Sequence, residues 1–128
     1  MPHLVAQITQ IEIDTEAQWI AKQFLDGPRE QDRFCQVTQD ANDYDFALNH
    51  QLIINCSTEH FDQDGWYKNV PKGRVLAIQS TNNTREPTHV NTMQRLSHFT
   101  AKYPLEITFY SGYIDVTDYR RYMRIGRV

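Results

Sequence analysis

Between Gln51 and His60 the chain reads Gln-Leu-Ile-Ile-Asn-Cys-Ser-Thr-Glu-His. An apolar run with β-branched residues turns polar at once, the pattern of a strand buried on both faces whose C-terminal end opens into a crevice. Ligands bind at such strand ends in open α/β sheets, so Asn55, Ser57, Glu59 and His60 are candidate site residues. A buried strand followed by an ordinary polar loop is the plainer reading of the same ten residues. Two earlier strand candidates also end in acids, Glu12 with Asp14 and then Asp40. In a doubly wound sheet these ends share one edge of the domain. A carboxylate ending an early strand can accept hydrogen bonds from both hydroxyls of a ribose, and one a strand further on can reach an adenine amino group. Acids also follow strands because they cap helices and begin turns. The functional reading therefore rests on Glu12, Asp40 and Asn55 occurring in this order.

The elements that must hold these residues can be placed along the chain. Val5 to Ile13 reads as a strand whose alternation changes phase at Thr9 and Gln10, implying a bulge there or a strand confined to the second half. Thr15 followed by Gln18 is a capping-box pattern that starts a helix at about Glu16, with Trp19, Ile20 and Phe24 as its core stripe and Asp26-Gly27-Pro28 as its stop. Asp32 to Val37 is a short strand, followed by a polar turn over Gln39 to Asp43 and a brief segment from Tyr44 to Leu48. Asp62-Gln-Asp-Gly lacks the further ligands of a calcium loop and reads as a turn before a short helix near Trp66. Arg74 to Ser80 is a second buried strand, and the stretch to Asn91 is polar. Asn91 then caps a helix over about Thr92 to Lys102, with Met93, Leu96 and Phe99 inside. Leu105 to Tyr113 and Tyr119 to Arg127 form a closing pair of strands. This alternation predicts one α/β domain: a mostly parallel sheet with helices on both faces and an antiparallel C-terminal pair.

Composition narrows the function. The chain has 128 residues, 13 basic and 16 acidic, for a net charge of -3, which gives no bias toward nucleic acid or acidic membranes. Arg120, Arg121, Arg124 and Arg127 cluster late and read as a solvated strand face in preference to a phosphate or partner patch. No apolar leader follows Met1 and no long apolar run occurs, so a cytoplasmic placement is expected. Cys35 and Cys56 are not expected to pair. A metal site from Cys56, Glu59, His60 and His89 matches no structural zinc spacing, and no metal is expected. A serine hydrolase is disfavoured by the absence of a Gly-x-Ser-x-Gly elbow.

Several segments in succession resemble class I S-adenosylmethionine-dependent methyltransferases. They are Ile11-Glu-Ile-Asp-Thr-Glu-Ala17, Gln39-Asp-Ala41 and Leu52-Ile-Ile-Asn-Cys-Ser-Thr-Glu-His60, then Arg74-Val-Leu-Ala-Ile-Gln-Ser-Thr-Asn82, His89-Val-Asn91 and Tyr119-Arg-Arg-Tyr-Met-Arg-Ile-Gly126. The likeness is to a bacterial subset in which an Asn-x-Ser-x-Glu-His segment precedes a Leu-Gln-Ser-Asn strand end and a His-Val-Asn turn. It implies a Rossmann-like methyltransferase sheet and S-adenosylmethionine as cofactor. Glu12, with Ile13, matches the acid that holds the ribose, and Asp40, with Ala41, the acid near the adenine. Asn55 and Ser57 border the cofactor's methyl, and Asn55, Glu59 and His60 are the implied catalytic residues. Gln79, Ser80, Asn82, His89 and Asn91 form the opposite wall, on the side of a small-molecule acceptor.

One feature of the family is missing. Its first strand and glycine-rich loop have no counterpart, because Gly27, Gly65, Gly73, Gly112 and Gly126 lie in no Gly-x-Gly pattern. The chain starts at what would be the second strand. The expectation is a methyltransferase-like protein incomplete as a catalyst on its own, as a truncated product or as one whose sheet is completed by direct pairing, by a second copy or by a partner chain. The alternative is a non-catalytic α/β binding or interaction module on the same scaffold.

Overall fold

The computed structural model describes residues 5–24, 32–47 and 50–128. They fall into two compact units, the first ending at Tyr44 and the second beginning at Asp45.

In the first unit, β1 (Ile8–Glu12) and β2 (Phe34–Thr38) are joined through α1 (Thr15–Gln23). The strands are parallel, in unbroken register from Ile8 opposite Phe34 to Glu12 opposite Thr38. The strand therefore has no bulge, and it runs through Thr9 and Gln10 instead of being confined to the second half of the expected range. Asp14 caps α1, one residue before the expected cap, accepting from the backbone N–H of Glu16 at 2.8 Å and Ala17 at 3.3 Å. Trp19, Ile20 and Phe24 are not core: they are 63%, 46% and 78% exposed. A two-stranded sheet is too narrow to cover a helical stripe, and α1 instead buries Gln18. The Gln18 amide donates to the carbonyls of Glu12 (3.0 Å) and Val37 (2.9 Å) and accepts from the Thr38 hydroxyl (2.8 Å). The amide thereby ties α1 to the carboxyl ends of both strands. A 3-10 turn over Ala41–Asp43 closes the unit. The expected helix stop at Asp26-Gly27-Pro28 and residue Leu48 lie outside the described residues.

The second unit holds a four-stranded sheet in the order β3-β4-β6-β5, made of β3 (Leu52–Asn55), β4 (Val75–Thr81), β5 (Ile107–Val116) and β6 (Tyr119–Arg127). β3 and β4 are parallel. The closing pair is antiparallel, with β6 inserted between β4 and β5. Two short helices, α2 (Gly65–Lys68) and α3 (Leu96–Lys102), supply Trp66 and Phe99 to an aromatic core completed by Tyr103, just after α3, and Tyr122 of β6. Trp66 lies 5.2 Å from Tyr103, and Phe99 lies 5.9 Å from Tyr103 and 6.4 Å from Tyr122, between ring centroids. Leu76 and Ile78 of β4 and Ile53 of β3 are buried with them.

Strand alternation divides β3 between two environments. Ile53 is 6% exposed, whereas Leu52 and Ile54 are 51% and 63% exposed, so β3 is buried on one face and not on both. Within this unit the aromatic layer covers only the face that Ile53 shares with Leu76 and Tyr122. α3 begins at Leu96, with Arg95 at its N-cap position. Asn91 is thus not its cap, because the buried amide has other partners. Both cysteines are free, and among the described residues no helix is long and apolar enough to cross a membrane.

Candidate functional site

The parallel pairing of β1 and β2 sets their carboxyl ends side by side, where the Gln39 N–H donates to the Glu12 carbonyl at 3.3 Å. Glu12 Oε1 accepts from the Asp14 N–H at 2.9 Å, and Asp40 Oδ1 accepts from the Asn42 N–H at 2.8 Å, capping the 3-10 turn. Both acids therefore shape turns, as acids at strand ends commonly do. Each keeps its second carboxylate oxygen without a hydrogen bond among the described residues. Ile13 is exposed beside Glu12, and Ala41 opens the turn after Asp40.

In the second unit the chain leaves β3 through Asn55, whose Oδ1 accepts from the Ser57 N–H at 2.9 Å. Ser57 is exposed and precedes a 3-10 turn over Thr58–His60. The Thr58 hydroxyl donates to the Gln79 carbonyl at 2.7 Å, which pins this turn to β4. Glu59, 2% exposed, is held by Arg121 of β6, with Nη1 at 3.0 Å from Oε1. Arg121 Nη2 also donates to the Cys56 carbonyl (3.0 Å) and to Gln79 Oε1 (3.3 Å). Glu59 Oε2 is buried without a donor among the described residues. His60 is exposed, its ring edge-on to that of His89 with centroids 4.7 Å apart. His60 Nδ1 is 3.2 Å from the Thr88 carbonyl and His89 Nδ1 is 2.7 Å from the Asn83 carbonyl.

Of the residues expected to line the opposite wall, Gln79 and His89 meet this cluster. Ser80 is fully buried, with its hydroxyl unpartnered among the described residues. Asn82 accepts from the Arg120 N–H at 2.7 Å and extends the β4–β6 ladder. Asn91 is a framework hub. Its amide donates to the Thr58 carbonyl (3.0 Å) and the Tyr103 hydroxyl (2.9 Å), accepts from Lys102 Nζ (2.8 Å), and its own N–H reaches the Glu59 carbonyl (3.0 Å). Tyr103 in turn donates to Asp64 at 2.8 Å, and burial together with this bond pushes its hydroxyl well above the ordinary tyrosine range.

The late arginines are not a uniform solvated face. Arg121 neutralises Glu59, while Arg124 is 2% exposed and donates to the Tyr103 carbonyl at 2.6 Å. Burial lowers the Arg124 guanidinium from its usual range. Arg120 pairs with Asp115 at 2.7 Å and lies 3.7 Å from the Tyr113 ring centroid, and Arg127 is the exposed member. Alternation along β6 separates Arg121 from Arg124 onto opposite faces, a signal available in the spacing. The partner of Arg121 is 62 residues away, beyond any local pattern.

No family model matches the chain, and no curated protein matches it significantly in sequence. Solved structures do. The N-methyltransferase NodS from Bradyrhizobium japonicum WM9 superposes with a TM-score of 0.67 at 15% identity, over 94% of this chain and 72% of that one. Its complex with S-adenosyl-L-homocysteine gives 0.65 at 14%, over 94% and 66%. A possible exported protein from Bordetella parapertussis gives 0.65 at 12%, over 95% of this chain and 54% of that one. The glycopeptide N-methyltransferase MtfA with S-adenosyl-L-homocysteine gives 0.52 at 14%, over 95% and 48%. The chain thus spans from about half to under three quarters of the length of the structures it matches. Its strands and helices follow a class I methyltransferase-like, Rossmann-like α/β fold.

Proposed function

We propose that the chain is a methyltransferase-like protein that binds S-adenosylmethionine or its demethylated product through the adenosine half. The observation that carries this reading is the placement of Glu12 and Asp40 at adjacent carboxyl ends of two parallel strands in that fold, each with a carboxylate oxygen uncommitted among the described residues. Glu12, beside Ile13, accepts the ribose hydroxyls, and Asp40, beside Ala41, accepts the adenine amino group. Complexes of NodS and MtfA with S-adenosyl-L-homocysteine support the cofactor class. When bound, the cofactor supplies an electrophilic methyl group on a sulfonium.

Of the proposed catalytic residues Asn55, Glu59 and His60, Glu59 is committed to Arg121. Exposed His60, with Nδ1 at a carbonyl, is the group free to take a proton from an acceptor. Gln79 and His89 line the acceptor side, while Ser80, Asn82 and Asn91 hold its frame. No Gly-x-Gly segment occurs in these 128 residues, so catalysis draws the contact to the methionine half from elsewhere, and this chain alone is incomplete as a catalyst. The exposed pair Leu52 and Ile54 supports association with a second copy or a partner chain. The exposed stripe of α1, Trp19 and Phe24, favours the second reading, an interaction module without catalysis.

Amide NMR during titration with S-adenosyl-L-homocysteine tests the proposal. Shifts should concentrate at residues 12–14 and 40–42. A folded protein whose amides there stay unmoved at millimolar ligand would exclude it.

A further inference from the structure

We infer that Glu59, His60 and His89 form a three-ligand site for a divalent first-row metal ion. One ligand atom from each residue lies within 4.8 Å of the other two. A bound ion would sit about 2.0–2.2 Å from nitrogen and oxygen ligands, so the three ligand atoms would draw together on binding by rotation of their side chains. Two independent features point to a cation and not to a chance cluster.

The first is the state of the carboxylate. Glu59's side chain is 3% exposed, and Arg121 answers only Oε1. Oε2 is buried with no donor among the described residues. A buried anionic oxygen left unanswered is costly, and a metal ion satisfies it directly. The second is the state of the imidazoles. A carbonyl can only accept, so the bonds to Thr88 O and Asn83 O fix the proton of each ring on Nδ1. Nε2 is then the ring nitrogen that a metal ion would take. Backbone carbonyls that orient the imidazole ring through its other nitrogen are the usual outer support of a histidine ligand.

The ligands come from rigidly tied segments. Glu59 and His60 share the 3-10 turn pinned by Thr58 to β4. The segment bearing His89 is tied back where the Asn91 N–H meets the Glu59 carbonyl. Two nitrogens and one carboxylate suit zinc, cobalt, nickel or iron better than magnesium or calcium. Three protein ligands leave a position open at the exposed His60 side for water or an oxygen of a bound molecule. Short-range spacing hides this site, because His89 lies 30 residues from Glu59 and the pattern matches no zinc finger. Cys56, weighed with these residues from the sequence, contributes its backbone carbonyl to Arg121 instead. The inference does not depend on cofactor binding. An ion held here would occupy His60, which would then no longer serve as the proton acceptor.

The test uses the untagged full chain after chelator treatment and dialysis, titrated with Zn2+ by calorimetry and with Co2+ by visible absorption. One equivalent should bind, with the cobalt spectrum of a low-symmetry nitrogen and oxygen site. His60→Ala, at an exposed position, and His89→Ala should each weaken Zn2+ binding at least tenfold, and Glu59→Gln should do the same. His98→Ala, at an exposed histidine on α3, should leave it unchanged. Circular dichroism confirms the fold of each variant, and His60→Ala decides the matter if Glu59→Gln does not fold. No stoichiometric binding by the parent chain, or binding that survives both histidine substitutions, would overturn the site.

Discussion

Asn91 shows how a residue expected to line a site can instead hold its frame. In sequence it stands in a His-Val-Asn turn and before a helical pattern, which suggested a wall residue and a cap. In the structure its side chain is the meeting point of the Thr58 carbonyl, the Tyr103 hydroxyl and Lys102, and each bond crosses between segments. Replacing it with Ala removes a donor from the Thr58 carbonyl, which keeps only the Phe61 N–H among the described residues, and from the Tyr103 hydroxyl, and leaves Lys102 without this acceptor. Asn91→Ala should therefore cost about 2–4 kcal/mol, read as a shift in the urea midpoint with an unchanged slope. A change below about 0.5 kcal/mol would mean that the amide is not a hub. Glu59 is a residue whose type was legible and whose state was not. Its place after a buried strand marked it as a candidate. Its burial and its pairing with Arg121 depend on a contact across 62 positions, which no local pattern records.

At the scale of elements, periodicity located most strands and predicted the antiparallel closing pair, since apolar runs and turn residues carry that information locally. It failed where an apolar stripe has nothing to pack against. Trp19, Ile20 and Phe24 have helical spacing, yet the two-stranded sheet beneath α1 uses Gln18 instead. Leu52 and Ile54 read as buried on composition, but the aromatic layer in their unit lies on the opposite face of β3. The insertion of β6 between β4 and β5 is equally invisible locally, because strand order is a property of the folded sheet. It does leave one sequence trace in Gly126. A side chain there would drive Cβ into the Ile107 carbonyl and to 2.9 Å from Leu105 Cδ1, so β5 and β6 approach too closely for any other residue. Gly126→Ala should destabilise the fold by about 1–3 kcal/mol, read by thermal unfolding. An unchanged melting temperature would show that β5 shifts freely.

For the whole molecule, the order of acids at strand ends was the legible part of the candidate site, together with the fold class that positions them. The exposed apolar residues of β3 and β5, among them Ile54 and Ile114 at 63% each, are unusual for a chain that acts alone. Light scattering should accordingly report self-association at high concentration, and a stable monomer mass would contradict that part of the reading. The central claim is that this scaffold holds an adenosine-bearing sulfonium cofactor or its product. Calorimetry with S-adenosyl-L-homocysteine tests it most directly, comparing the parent chain with Glu12→Gln and Asp40→Asn. Saturable binding should appear, weakened roughly 10- to 100-fold in each variant by the loss of a hydrogen bond to a charged acceptor. No heat of binding at millimolar ligand from folded protein, or equal affinity in all three proteins, would contradict the claim.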